Sequence, residues 1–180
     1  MTTAEIDFPA WGIASPKRRA HIARVTELAN VWADAMRIEP SERAAWRDAA
    51  AYHDALRDAS ESELRAIVPH LDWPASLLHG PAAAARLADD GERRASVLDA
   101  IYWHTVGSAR WDRTGRVLYM ADYLDPERKF DRATRATLAA RVPRAFDGVF
   151  REVVELRLGP RVAAKDALLP ESIALWESAR

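Results

Sequence analysis

Ala49-Ala50-Ala51-Tyr52-His53-Asp54 is an alanine-rich run that closes on a histidine and an aspartate. Alanine is the best helix former, so the run reads as the end of a helix. The imidazole nitrogen and carboxylate oxygen at its end are the ligand pair that iron, manganese and similar ions accept. Adjacent residues on a helix point about 100° apart, so one His-Asp pair cannot enclose an ion. Partners must come from other segments. The chain has five histidines, and His21, His79 and His104 stand in settings that can supply them. Asp122 follows the apolar run Val117-Leu118-Tyr119-Met120-Ala121. A carboxylate in such a run needs a counter-group, and a metal ion is one.

Outward from that run the pattern is helical. Ser15-Pro16 reads as a cap followed by proline at the first helical position. The helix after it carries His21, Val25, Leu28 and Trp32 on one face, so His21 points inward with the apolar stripe. A second helix starts at Pro40-Ser41 and ends at His53-Asp54. Ser60 and Glu63 form a capping box for a short third helix. Residues 70–81 read as loop, with a turn at Leu77-Leu78-His79-Gly80-Pro81. An alanine-rich helix then runs to about Asp90, where Gly91 stops it. Further helices are expected from Ser96 to His104, from Arg116 to Leu124, and over residues 131–158 with a break near Pro143. Gly159-Pro160 reads as a turn, and Pro170 to Arg180 as a last short helix. No stretch alternates as a strand does. The expectation is an all-α fold: residues 1–15 as an N-terminal arm over the domain, then one domain over residues 16–180.

Composition narrows the function. The 180 residues carry 26 basic and 27 acidic side chains for a net charge of −1, which gives no support for nucleic-acid binding through phosphate neutralisation. There is no cysteine, so thiolate metal sites, cysteine nucleophiles and disulfides are excluded. The first fifteen residues lack the basic start and apolar core of a signal peptide. No run approaches the roughly 20 apolar residues that cross a bilayer. A cytoplasmic protein without membrane contact is the expectation.

Each candidate ligand has an ordinary alternative. A histidine on an apolar face is often a hydrogen-bonded core residue. His79 could be a loop histidine, and His104 a cation at a helix C-terminus. Asp122 could pair with Arg116 or Arg128. His70 fits no pattern and reads as surface.

Taken in order, the series His21, His53-Asp54, His79, His104, Asp122 resembles the HD superfamily of metal-dependent phosphohydrolases. Its local contexts resemble one branch, the YqeK-like symmetrical diadenosine-tetraphosphate hydrolases. Arg18-Arg19-Ala20-His21, Ala51-Tyr52-His53-Asp54, Leu78-His79-Gly80-Pro81, Tyr102-Trp103-His104-Thr105-Val106-Gly107 and Tyr119-Met120-Ala121-Asp122-Tyr123-Leu124-Asp125-Pro126-Glu127-Arg128 carry the likeness. Three positions depart from the branch. Arg57 stands where it usually has lysine, Ser108 where it has arginine after the glycine, and Leu175-Trp176-Glu177 where it has a tyrosine-asparagine pair.

The resemblance implies an HD-type helical bundle. It implies a metal held by His21, His53, Asp54 and Asp122, with His79 and His104 completing a second metal site or binding phosphate. Iron comes first, with manganese or another ion as alternatives, one or two per chain. Asp54 is expected to orient the attacking water, and Arg18 and Arg57 to clamp phosphate. Thr105, Arg110 and Arg128 are expected to touch substrate, with Lys129 a weaker candidate. Trp103 and Trp111, beside the His104 loop, are candidates to stack on adenine, although most tryptophans at helical spacing belong to the core. The implied reaction cuts a dinucleoside polyphosphate, diadenosine tetraphosphate, into two diphosphates. Other nucleotidases or phosphomonoesterases of the superfamily, and a nucleotide-binding domain without turnover, are the alternatives. Oligomeric state stays open, a homodimer included.

Overall fold

A computed structural model describes residues 8–180, and among them every regular element is helical. Nine α-helices follow one another: α1 (Pro16–Ala35), α2 (Pro40–Tyr52), α3 (Glu61–Ile67), α4 (His79–Asp89), α5 (Ala95–Trp103), α6 (Arg113–Leu124), α7 (Arg132–Arg141), α8 (Phe146–Ala163) and α9 (Pro170–Ala179). A single 3-10 turn at Ala75–Leu77 precedes α4. No helix among the described residues is long and apolar enough to cross a membrane.

Local signals set the helix starts. The Ser15 side chain accepts from the Arg18 N–H, with proline in the first turn. Both halves of the Ser60–Glu63 capping box are made. Gly91 takes φ +103° at the end of α4, a conformation that costs glycine little. Helix α2 packs against α1, α5 and α6. Trp46 of α2, Trp32 of α1, Ile101 of α5 and Leu118 and Met120 of α6 are buried in the core these helices share. Complete burial of a large apolar side chain contributes about 1.5–3 kcal/mol, so these contacts hold the bundle that carries the polar centre.

Three boundaries differ from the sequence reading. His79-Gly80-Pro81 is the first turn of α4 rather than a loop. Proline is tolerated there because first-turn N–H groups lack helical partners anyway. Gly80 sits where a Cβ would fall 2.8 Å from the Ile101 carbonyl, so glycine lets the α4 start press against the α5 end. Helix α6 begins before Arg116, because the Asp112 side chain caps it by accepting from the Thr114 and Gly115 N–H groups. Gly159-Pro160 lies inside α8. Burial of Val153, Val154 and Leu158 holds that helix through its proline, and Gly159 admits the Trp176 ring of α9.

Residues 1–7 of the expected arm lie outside the described residues. The rest of the arm braces the turn that follows α2. The Ile13 N–H donates to the Ala55 carbonyl at 2.8 Å, the Asp58 N–H to the Ile13 carbonyl at 3.2 Å, and the Ser15 N–H to the Asp58 carboxylate at 2.8 Å.

Arg135 of α7 is a buried guanidinium that caps carbonyls. It donates to Tyr123 O at 2.9 Å, Arg128 O at 3.0 Å, Phe130 O at 3.2 Å and Asp125 O. It thereby ties down the α6 C-terminus and the segment 125–130. Arg135→Leu leaves those carbonyls without donors inside the fold, and an unsatisfied buried group costs about 1–3 kcal/mol. Chemical denaturation is expected to show a loss of about 3 kcal/mol. A variant as stable as wild type contradicts this role.

Candidate metal centre

Four imidazoles and two carboxylates meet under the cleft between α1, α4, α5 and α6. His53 and His104 are placed by the same device. Each is the residue that ends its helix, α2 or α5. Each ring turns back on an otherwise free carbonyl three residues earlier: His53 Nδ1 lies 2.8 Å from Ala50 O, and His104 Nδ1 lies 2.7 Å from Ile101 O. A carbonyl only accepts, so Nδ1 carries the proton and the Nε2 lone pair faces inward. His21 is oriented by a carboxylate instead, with Nδ1 2.6 Å from Asp125 Oδ2. Arg24 holds that carboxylate from the other side at 2.7 and 2.9 Å.

The inward atoms form two groups of three, His21 with His53 and Asp122, and Asp54 with His79 and His104. Within each group the ligand atoms lie within 4.8 Å of one another, and all six residues are buried. Asp54 joins the groups. Its Oδ1 is 3.3 Å from His79 Nε2 and 3.4 Å from His104 Nε2. Its Oδ2 is 3.6 Å from His53 Nε2 and 3.8 Å from His21 Nε2. The expected set of His21, His53, Asp54 and Asp122 is therefore divided, with Asp54 facing both sides through its two oxygens.

These residues fit a metal ion on their own chemistry. Nε2 of His21 and of His53 is buried without a hydrogen-bond partner, although Asp122 Oδ1 approaches His21 Nε2 to 3.1 Å. The buried His53 Nε2 lone pair without a donor is costly, and a cation is what satisfies it. Imidazole with carboxylate and no thiolate suits iron, manganese, cobalt or zinc.

Burial favours the neutral form of His53 and pulls its pKa down to about 4. Burial likewise lowers His79. His21 goes the other way. Burial pulls it down, but hydrogen bonds to Asp122 and Asp125 outweigh that and raise it to about 9. Burial alone would raise the carboxyls. For Asp54 the surrounding His53, His104 and His79 reverse that, and for Asp122 Arg128 and His21 do, so both sit well below the usual carboxylate range.

The groups floor an open cleft of about 670 Å³ whose rim is basic. Arg18 reaches Asp54 Oδ2 at 2.7 Å, and Lys17, Arg24, Arg57, Arg128 and Lys129 also line the cleft. Arg128 pairs with Asp122. Thr105 Oγ1 lies 3.2 Å from His79 Nε2 and 3.1 Å from His104 Nε2. Arg110 is not brought here; with Trp103 it lines a separate, largely apolar cavity of about 710 Å³. Trp111 is buried against Tyr119 and is core. Arg116 pairs with Asp147, not Asp122. The sequence reading missed Asp125, Arg24 and Arg157 as members of the site. Arg24 follows His21 by three residues and Asp125 follows Asp122 by three, the spacing that puts helical neighbours side by side.

The model of the HD domain family matches residues 18–127, and the chain belongs to that family. Among curated proteins it is similar to "Bis(5'-nucleosyl)-tetraphosphatase, symmetrical" of Bacillus subtilis, 32% identical over 90 residues covering 46% of this chain and 48% of that protein. The protein of the same name from Staphylococcus aureus is 36% identical over 59 residues, 32% of this chain and 30% of that one. The match thus spans about half or less of these relatives' length. Among solved structures, a "predicted HD superfamily hydrolase involved in NAD metabolism" from Clostridium acetobutylicum superposes with a TM-score of 0.75 at 20% identity. It covers 92% of this chain and 89% of its own, and it shows the shared fold.

Metal uptake must displace the His21 proton, because only the neutral ring offers Nε2 a lone pair. With the His21 pKa at about 9, that ring is protonated at neutral pH in the ion-free protein. Manganese binding is therefore expected to release a proton at pH 7 and to strengthen as pH rises toward 9. Calorimetry in buffers of different ionisation enthalpy counts that proton; a count of zero contradicts the assignment of His21.

Proposed function

We propose that the chain is a metal-dependent phosphohydrolase that cuts a dinucleoside polyphosphate, diadenosine tetraphosphate in the first instance, into two nucleoside diphosphates. The observation that carries this reading is the meeting of two three-ligand groups at Asp54 on the floor of a cleft rimmed by arginine and lysine. The curated relatives' printed name supports the same substrate class.

His21, His53 and Asp122 would hold one ion, and His79, His104 and Asp54 would hold a second. A bound ion of this kind lowers the pKa of a coordinated water and withdraws charge from phosphoryl oxygens. Iron is the favoured identity, with manganese as the alternative, since a histidine and carboxylate set accepts both.

The protein's own groups do the rest. Asp54 is held ionised and lies between the two groups, where it orients a water for attack in line with the bridge oxygen that leaves. The new bond joins the water oxygen to a phosphorus inside the tetraphosphate, and the bond from that phosphorus to the bridging oxygen breaks. One diphosphate takes the water oxygen, the other departs with the bridge oxygen, and the water's protons pass to solvent. Arg18 and Arg57 present planar forks that match phosphate oxygens, and Arg57 does so with two prongs where lysine would give one point charge. Arg128 and Lys129 balance the charge of the departing diphosphate, so that it needs no proton. Thr105 Oγ1 is placed to donate to a phosphate oxygen beside His79 and His104.

Manganese-loaded and iron-loaded protein incubated with diadenosine tetraphosphate should yield ADP alone, resolved by anion-exchange chromatography. AMP with ATP would refute symmetric attack. Phosphate released from a nucleoside monophosphate would favour a phosphomonoesterase, and binding without turnover a sensor. Asp54→Ala should remove turnover and bound metal together, with activity falling by more than about 100-fold.

A further inference from the structure

Arg157 is a cation of the site that the proposed chemistry leaves unused, and its position is unusual. It comes from α8, late in the chain and beyond the residues that the family model matches. Its guanidinium carbon lies 4.3 Å from the centre of the buried Tyr119 ring. Nη1 donates to Asp122 Oδ2 at 3.2 Å, and Nη2 to the His104 backbone carbonyl at the longer distance of 3.4 Å. One rigid fork thus touches both ligand groups: Asp122 of the first, and the residue supplying Nε2 to the second.

Each contact has a physical consequence. Asp122 Oδ1 faces His21 and Arg128, so its second oxygen must be held for the carboxylate to have one orientation. Arg157 supplies that hold. The His104 carbonyl belongs to the last turn of α5, where the helix leaves such groups unpaired. A cation there favours the negative end of the helix. Stacking on Tyr119 fixes the plane of the guanidinium, so both donors are aimed before any ion or substrate arrives.

We propose that Arg157 is a positioning residue that fixes the spacing and orientation of the two ligand groups by tying the Asp122 carboxylate to the end of α5. The proposal rests on the metal-dependent reading and extends it to a residue outside the matched segment. Partners that orient metal ligands typically carry about 10–100-fold of metal affinity or activity. Lysine keeps the charge but lacks the planar fork, so it can hold Asp122 or the His104 carbonyl, not both.

The test compares wild type, Arg157→Gln, Arg157→Lys and Arg57→Gln, the last altering the cleft's rim without touching a ligand. Manganese affinity is measured by calorimetry without substrate. The absorption of cobalt-loaded protein is then recorded, with kcat and KM for diadenosine tetraphosphate. The expected result for Arg157→Gln is about 10–100-fold weaker manganese binding, an altered cobalt spectrum and a lower kcat. Its KM should change less than threefold, and Arg157→Lys should recover part of the loss. Arg57→Gln should instead raise KM and leave manganese affinity alone. Circular dichroism and thermal midpoints accompany each variant. A merely structural Arg157 would lower the midpoint of Arg157→Gln and Arg157→Lys alike while the folded protein bound manganese as wild type does, and that overturns the proposal. A raised KM with unchanged metal affinity makes Arg157 a phosphate clamp and overturns it too. Wild-type protein that took up no ion would defeat the metal reading itself, and Arg157 as a positioning residue with it.

Discussion

A carboxylate taken out of water must have its hydration replaced, or it takes up a proton. Asp54 is 3% exposed and its carboxyl sits well below the usual carboxylate range; Arg18 donates to it and four imidazole Nε2 atoms lie within 3.8 Å of its oxygens. Every other feature of the centre follows from the need to assemble those partners. They come from α1, the ends of α2 and α5, and the start of α4, so no single helix can build the site. The bundle exists at this point as a device for bringing helix ends together around one charge.

Helix termini do most of the positioning. His53 and His104 each spend their Nδ1 proton on a carbonyl left free at a helix end. The same hydrogen bond that stops the helix sets the ring and points Nε2 inward. Gly80 lets the start of α4 approach the end of α5 closely enough for His79 and His104 rings to lie 4.9 Å apart. The arm over Ala55 and Asp58 braces the turn that carries the pair. Arg135 fixes the segment that supplies Asp125 and Arg128. Secondary structure, capping and ligand geometry are here the same set of hydrogen bonds.

The candidate ligands were legible in the sequence because their chemistry is scarce in it. Five histidines and no cysteine leave few ways to hold a metal, and four of the five histidines converge. Asp122 stood out by following an apolar run. The helices were legible from caps and apolar spacing, apart from boundaries that tertiary packing decided. Pro160 reads as a breaker locally, yet burial on both sides of it carries α8 through. Arg157, Arg135 and Arg24 were hidden among 26 basic residues, since nothing in a sequence separates a guanidinium that pairs inside the site or caps carbonyls from a solvated one. Asp125 was read as a helix end, which it also is. The division of the candidate ligands into two groups sharing Asp54 could not be read from order along the chain, because it depends on which oxygen faces which ring.

Crystals of the protein grown with manganese and measured at wavelengths on either side of the manganese absorption edge give the most direct test. The account predicts anomalous peaks touching Nε2 of His21 and His53, with Asp54 reaching that ion and a neighbouring position between His79 and His104. Anomalous density only at the surface, with water or hydrogen-bonded side chains filling the space around Asp54, would contradict it.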